Sequence, residues 1–369
     1  MDVVISGASV AGLTTAHLLA SAGHAVTVVE RAQAPRQGGV AVDVRGAAVD
    51  VARRMGLLDA IASARVTYED RFDFVDPDGR VQATIRPNID LYDSPDDIEI
   101  SRDALSDILR GSVPDAVRFV YGSWIEHVTE SAAGVSVELH GRGTVRADLV
   151  VGADGMHSRV RQLVFGPEEQ YLHHLGLYVA VLRRTSQGSG VHGSEVFNVP
   201  GRMLMLRGDG ADCSALLGFR SERIDYDYRD VDQHKSMVAD AFRDVTGWKV
   251  PAVLGEVDRS DDLYFDSVSQ IRMTSRVSGR AVLVGDAGYC ASFFSGMGTS
   301  LAMVGAATLA DVLDECDDVP SALRMYDARI APVVEAAQDL AGDGAAILFP
   351  ATPEAIAARN ADLAVTASS

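Results

Sequence analysis

Three stretches of this 369-residue chain carry residue types and spacings suited to holding a polyanionic ligand. The first is Gly7-Ala8-Ser9-Val10-Ala11-Gly12, followed further on by Glu30 and Arg31. A glycine at the start permits a tight strand-to-helix turn, and one at the end lets the helix pack closely on the strand behind it. A helix N-terminus placed there offers free N–H groups and a positive dipole end to a pyrophosphate. Glu30 stands where an acid accepts hydrogen bonds from both hydroxyls of an adenosine ribose. Ser9 replaces the middle glycine of the strict pattern. It is the mildest such change, because its hydroxyl can itself donate to phosphate. The second stretch, Asp148 to Arg161, runs through Gly152-Ala153-Asp154-Gly155 and delivers Asp154 with Arg159 and Arg161. The third, Arg280 to Ala287, ends in Gly285-Asp286; a loop then leads to Gly296-Met297-Gly298-Thr299-Ser300. Asp286 suits a polyol hydroxyl, and the Gly296–Ser300 stretch provides a second anion-friendly helix start.

These groups need elements to position them. Val3-Val4-Ile5 is a β-branched run of the kind that fills a buried parallel strand. Leu13, Ala16, Leu18, Leu19 and Ala22 follow at helical spacing, Gly23 closes the helix, and Ala25 to Val29 forms a second strand ending on Glu30. This is a strand–helix–strand unit of about 30 residues, the architecture of a dinucleotide fold. Leu149-Val150-Val151 and Ala281-Val282-Leu283-Val284 read as further buried strands, each closing on its Gly/Asp turn. An Ala/Leu-rich helix runs from the Gly296–Ser300 start to about Leu313.

In this order and spacing, the three blocks resemble the flavoprotein monooxygenases of the para-hydroxybenzoate hydroxylase type. These are single-component, class A enzymes, and aromatic and tetracycline hydroxylases are among them. The likeness covers nearly the whole chain. Gly38-Gly39-Val40-Ala41-Val42-Asp43-Val44-Arg45-Gly46 resembles the family segment that runs past the flavin ring. Glu99-Ile100-Ser101-Arg102 with Leu105 matches the element whose arginine contacts FAD. The resemblance implies FAD as cofactor, with Gly7, Ser9, Ala11, Gly12, Glu30, Arg31, Arg45, Arg102, Asp154, Arg159, Gly285, Asp286, Gly296, Gly298 and Thr299 around it. It implies NADPH or NADH as a transient reductant and O2 as oxidant. The reaction implied is hydroxylation or epoxidation, through a flavin C4a-hydroperoxide, of a bulky aromatic or polyketide-type molecule in secondary metabolism, antibiotic biosynthesis or drug modification.

The chain leaves the family pattern around the flavin. Ala291 and Phe293 stand where prolines are expected, Met297 replaces a polar residue, Val40 follows the Gly-Gly pair, and Arg276 occupies a place where tryptophan is common. Phe293, Met297 and Val40 put apolar bulk near the reactive face. Two readings stay open: a pocket reshaped for a large hydrophobic substrate, or a flavoprotein whose FAD no longer cycles and whose cavity steers ring closure of a polyketide chain, as a cyclase or pericyclase. Arg45, Tyr289, Phe293 and Met297 are the candidate residues at the flavin face. Each has a blander alternative: an ion pair with Asp43 for Arg45, and simple core packing for the other three. Gly247-Trp248-Lys249-Val250-Pro251 only superficially echoes a flavin halogenase motif. No histidine or cysteine spacing suggests a metal.

The expected fold class is α/β: a Rossmann-like FAD-binding domain with an inserted β-sheet substrate domain and C-terminal helices. Residues 1–70, 97–165 and 272–345 carry the nucleotide motifs. Residues 71–96 and 166–271 read as the insert, with strands around Val179–Leu182, Met203–Leu206 and Ala215–Phe219, a helix from Asp232 to Val245 and a break at Pro251. Residues 346–369 read as a helical tail. The substrate cavity is expected between the two domains. With 33 basic against 52 acidic residues the net charge is −19, which disfavours nucleic acid and anionic membranes as partners. No stretch approaches the about 20 apolar residues of a membrane span, and three scattered cysteines fit a reducing, cytoplasmic setting. Monomer and homodimer remain equally open.

Overall fold

Four β-branched and aliphatic strands, too apolar to face water on either side, stack in parallel at the centre of the first unit. The structure is a computed structural model, which describes residues 1–35, 41–66, 71–85, 96–188, 190–210, 213–261 and 263–366. The first unit comprises Met1–Arg65, Ser94–His173 and Ser269–Ala341. Its main sheet runs in the order Val277–Ser278, Ala281–Leu283, Leu149–Gly152, Asp2–Ser6, Ala25–Glu30, Arg118–Tyr121, all parallel except the first. Successive side chains of a strand point to opposite faces, so each strand feeds two cores. Val3, Ile5, Val28, Val151 and Val282 pack with the helices Val10–Ser21 and Gly298–Glu315. Val4, Val29, Val150 and Leu283 pack with Val135 and Val137 of a three-stranded antiparallel sheet.

Register decides where the motifs end up. Ser6 pairs with Gly152, and Gly152 with Leu283, so three strand ends lie in one row. Glu30 ends the neighbouring strand opposite Tyr121. The three sequence blocks therefore emerge at one carboxyl edge, where ligands of open α/β sheets bind. A two-stranded ribbon pairs Ala41–Val44 with Ile98–Ser101, setting Ala41 opposite Ser101.

The second unit comprises Val66–Asp93, His174–Val268 and Gly342–Ser369. It carries a seven-stranded sheet ordered Leu263–Ile271, Leu172–Leu182, Cys213–Arg220, Arg202–Asp209, His192–Val199, Phe72–Val75, Val81–Ile85. One face, with Tyr178, Leu204, Leu217 and Phe265, packs on Val238 and Phe242 from one helix and Val253 and Val257 from another. The C-terminal residues, expected as a separate tail, cluster with this unit. Asn198 Nδ2 donates to the Leu348 carbonyl at 2.7 Å, Arg220 Nε to the Phe349 carbonyl at 2.9 Å, and the Arg359 guanidinium lies 3.7 Å from the Phe74 ring centroid.

Pro251 and Pro332 lie within helices. Pro251 opens the helix Val250–Arg259 instead of ending structure, because its missing N–H is no loss in a first turn. Pro332 lies inside the helix Val319–Asp339, which Asp318 caps by accepting from Ser321 N at 2.8 Å. It is exposed, so the backbone carbonyl it leaves unpaired can face water.

Tyr289 and Gly305 show how tightly the first unit is built. A methyl carbon at Gly305 would lie 1.8 Å from the Tyr289 hydroxyl. Gly305→Ala should therefore destabilise the protein by about 1–3 kcal/mol through overpacking. In the Tyr289→Phe background, where the oxygen is gone, the same change should cost clearly less. Urea denaturation of the four proteins measures this coupling.

Candidate functional site

Gly7 turns the first strand into its helix at φ +102°, a conformation that favours glycine. Its N–H donates to the Val29 carbonyl at 2.8 Å. A Cβ there would meet the Ala153 carbonyl oxygen at 2.4 Å, and one at Gly12 would meet the Gly7 oxygen at 1.9 Å. The turn thus packs backbone on backbone, with no room for a side chain at either glycine. Ser9 stands at the helix N-cap in an extended conformation, and its side chain makes no capping hydrogen bond to the helix. No acid occupies the first turn, so the dipole end is left for an anion. Ala11 is buried, and a Cβ at Gly285 would come within 2.9 Å of the Ala11 methyl. Glu30 accepts from Ala8 N at 2.9 Å on one oxygen and from Ala32 N at 2.8 Å on the other. Each oxygen keeps a second lone pair for a ribose hydroxyl. Arg31 is exposed beside it.

Asp154 turns inward. It accepts from Ser6 Oγ at 3.0 Å, Ser158 Oγ at 2.5 Å, Arg159 N at 2.9 Å and Val160 N at 3.3 Å. Burial pushes its carboxyl above the ordinary value, opposed by the hydrogen bonds from Ser158, Val160 and Ser6. With four protein donors it serves as a staple between the first strand and the short helix Arg159–Val164, and Arg159 enters that staple through its backbone. Arg161, the second guanidinium of the same motif, is fully buried. It donates to the Ala287 carbonyl at 2.8 Å and the Met156 carbonyl at 2.5 Å, and pairs with Glu168 at 2.6 Å. Burial lowers its pKa, and Glu168 and Asp154 raise it. It ties the Asp154 turn to the Asp286 turn from behind.

Asp286 is exposed although every residue from Ala281 to Cys290 around it is buried. A Cβ at Gly298 would stand 3.7 Å from its carboxylate. At Gly296, where φ is +66°, a Cβ would stand 3.6 Å from Arg45 Nη1 and 3.7 Å from Asp43 Oδ2. Arg45 pairs with Asp43 at 3.1 Å, the blander alternative raised for it. The start of the helix Gly298–Glu315 thus lies between the Asp286 carboxylate and this ion pair. Ser300, buried in its first turn, accepts from Arg45 N at 2.9 Å and donates to the Asp43 carbonyl at 2.9 Å. Nothing local in the sequence marks Ser300, whose partners are about 255 residues away. Thr299 is part-buried beside it, and Arg102 is exposed at the first position of the helix Arg102–Ser112. Asp97 accepts from Gly46 N at 3.1 Å, and its second carboxylate oxygen is buried without a partner.

The flavin-face candidates separate. Tyr289 is a core residue, not a cavity wall: it is 1% exposed, its hydroxyl lies 3.2 Å from that of Tyr326, and burial pushes its pKa up to about 12. Tyr326 donates its own hydrogen to the Leu283 carbonyl at 2.9 Å, so Tyr289 is the donor of the pair. Phe293 is exposed and meets Phe294 edge-on at 5.2 Å. Met297 is part-buried against the helical core. Gly38, Gly39 and Val40 lie outside the described residues. Arg276 is buried on Asp327 at 3.3 Å. Among the described residues no group of His, Cys, Asp and Glu could hold a metal.

A glycine turn, an acid at the second strand end, an outward carboxylate at Asp286, an unpaired Asp97 oxygen and two anion-ready helix starts fit a flavin nucleotide and define an α/β flavoprotein. The chain belongs to the FAD binding domain family, which it matches over residues 1–341, and its similar proteins are flavin-dependent monooxygenases. It is 34% identical over 341 residues to a flavin-dependent monooxygenase of Legionella longbeachae serogroup 1 (strain NSW150), covering 92% of this chain and 87% of that protein. Two solved structures, tetracycline destructases Tet(51) and Tet(55), are 31% and 32% identical with TM-scores of 0.84 and 0.85. Each likeness covers 98% of this chain, and 95% and 94% of theirs.

Asp286→Ala should weaken FAD binding by about 1.5–3 kcal/mol, the worth of a charge-assisted hydrogen bond. Fluorescence titration of apoprotein with FAD reads this directly; unchanged affinity would remove Asp286 from the ligand.

Proposed function

We propose that this protein is an FAD-dependent monooxygenase that adds one oxygen atom to a bulky polycyclic aromatic or polyketide-type molecule, with tetracyclines as the nearest substrate class. The carrying observation is the likeness to two tetracycline destructases along nearly the full length of both chains. NADPH or NADH supplies two electrons and O2 the oxygen: one atom enters the substrate, and the other leaves as water with the nicotinamide oxidised. Bound FAD would supply the electron storage and oxygen activation that no side chain here provides.

The protein's own part is positioning and electrostatics. Gly7, Ser9, Ala11 and Gly12 would present the first helix start to the pyrophosphate, Glu30 and Arg31 the adenosine end, and Asp286 and Asp97 acceptors for hydroxyls. Gly296, Gly298 and Thr299 would direct the second dipole end at developing negative charge, with Arg45 and Arg102 as flanking cations. Asp154, Arg159 and Arg161 hold this edge together. Phe293, exposed at the tip of its loop, offers an apolar ring to a flat substrate.

Incubation of purified protein with tetracycline, NADPH and air should yield a product heavier by one oxygen, with NADPH oxidation faster than in the substrate-free control. Mass spectrometry of an 18O2 reaction checks the source of the atom. A product of unchanged mass, formed without reductant or oxygen, would replace this reading with the non-redox cyclase.

A further inference from the structure

We propose that the buried carboxamides of Gln270 and Gln338 are positioning residues that hold the loop from Cys290 to Met297, and with it Phe293 and the start of the helix Gly298–Glu315. The importance of that loop for catalysis rests on the flavin reading above; the clamp itself does not.

The loop has little that would order it by itself. It contains no proline and carries Gly296 and two serines. Ser292 sits at φ +98°, ψ 151°, a region that only glycine enters without strain. A residue persists there only when its surroundings over-determine it. Downstream, Ser295 donates to the Ser292 carbonyl through N at 3.2 Å and Oγ at 2.8 Å, and Phe294 N donates to Ser292 Oγ at 3.3 Å. Those contacts are local and would move with the loop. Anchors to other segments of the unit lie upstream. Gln338 Nε2 donates to the carbonyls of Cys290 at 3.3 Å and Ile271 at 2.8 Å. Gln270 Nε2 donates to the carbonyls of Ala291 at 3.2 Å and of Gln338 at 2.7 Å.

The Gln270 carboxamide thus also holds the main chain at Gln338, and all four amide hydrogens of the two side chains are used. Gln270 Oε1 accepts from Arg272 Nε at 2.9 Å, which fixes which end of that amide faces the carbonyls. Gln270 is 1% and Gln338 8% exposed. Water cannot replace a lost donor there: without Gln270 the Ala291 carbonyl loses its amide donor, and without Gln338 the Cys290 carbonyl keeps only the Ile271 N–H, 3.0 Å away. Released from them, Ser292 can relax out of its strained conformation and carry Phe293 and Met297 along.

The test compares wild type, Gln338→Leu, Gln270→Leu, Ser292→Gly and the two double variants with Ser292→Gly. Three readouts are used: amide hydrogen exchange along the chain without FAD, FAD affinity, and product formed per NADPH consumed. Either leucine variant should speed exchange at residues 292–297 at least tenfold while the strand Asp2–Ser6 stays protected, and weaken FAD binding several-fold. Ser292→Gly should restore most of both losses, because glycine occupies that conformation without strain. Ser292→Gly alone should raise Tm, which keeps the proposal testable if a leucine variant does not fold. Uniformly faster exchange without rescue by Ser292→Gly, or a fall in Tm for Ser292→Gly alone, overturns it. If wild type binds no FAD, the functional reading fails, and the exchange data still decide on the clamp.

Discussion

A protein of net charge −19 that holds a pyrophosphate must do so mainly with backbone dipoles. The described arginines nearest the site are largely committed elsewhere: Arg45 to Asp43, Arg161 to buried carbonyls and Glu168, Arg276 to Asp327. What remains for an anion, beside the exposed Arg31 and Arg102, is two helix starts free of acids in their first turns. Dipole ends act only over short distances, so the ligand has to approach the backbone closely. The turn at Gly7, which carries no side chain, meets that requirement, and the third strand end brings Asp286 out at the same edge.

Much of this was legible in the sequence, for a physical reason. A glycine turn between a β-branched run and a helical pattern is a local signal, read within about 30 residues. The strands, the helix starts and the acid at Glu30 are all of this kind. Strand register is not: the row Ser6, Gly152, Leu283 joins segments far apart in the chain. For the same reason Ser300 was missed, since its partners at Asp43 and Arg45 become neighbours only once the ribbon is folded. For Tyr289 the sequence left both a cavity wall and simple core packing open, and in the structure it is buried in the core. The direction of the tyrosine is set by a hole at Gly305, on a helix that sequence alone does not align with it.

Proline was the weakest guide. Its effect depends on whether the missing N–H would have been bonded. Pro251 in a first turn costs nothing, and Pro332 on an exposed helical face costs little. Neither outcome is visible without knowing where the helices begin: Asp318 caps the helix that holds Pro332, and the helix Val250–Arg259 starts at Lys249 with no side-chain cap.

The apolar departures around the flavin do not act together. Met297 is part-buried against the helical core, at the start of the helix Gly298–Glu315. Phe293 alone, among the described residues of that set, presents its ring outward. A single exposed ring on a loop pinned by buried amides is suited to stacking on one flat substrate face, because a fixed aromatic loses little entropy when it binds. A loop held against its conformational preference at Ser292 is an ordered wall, which either reading of the pocket, oxygenating or ring-closing, would use.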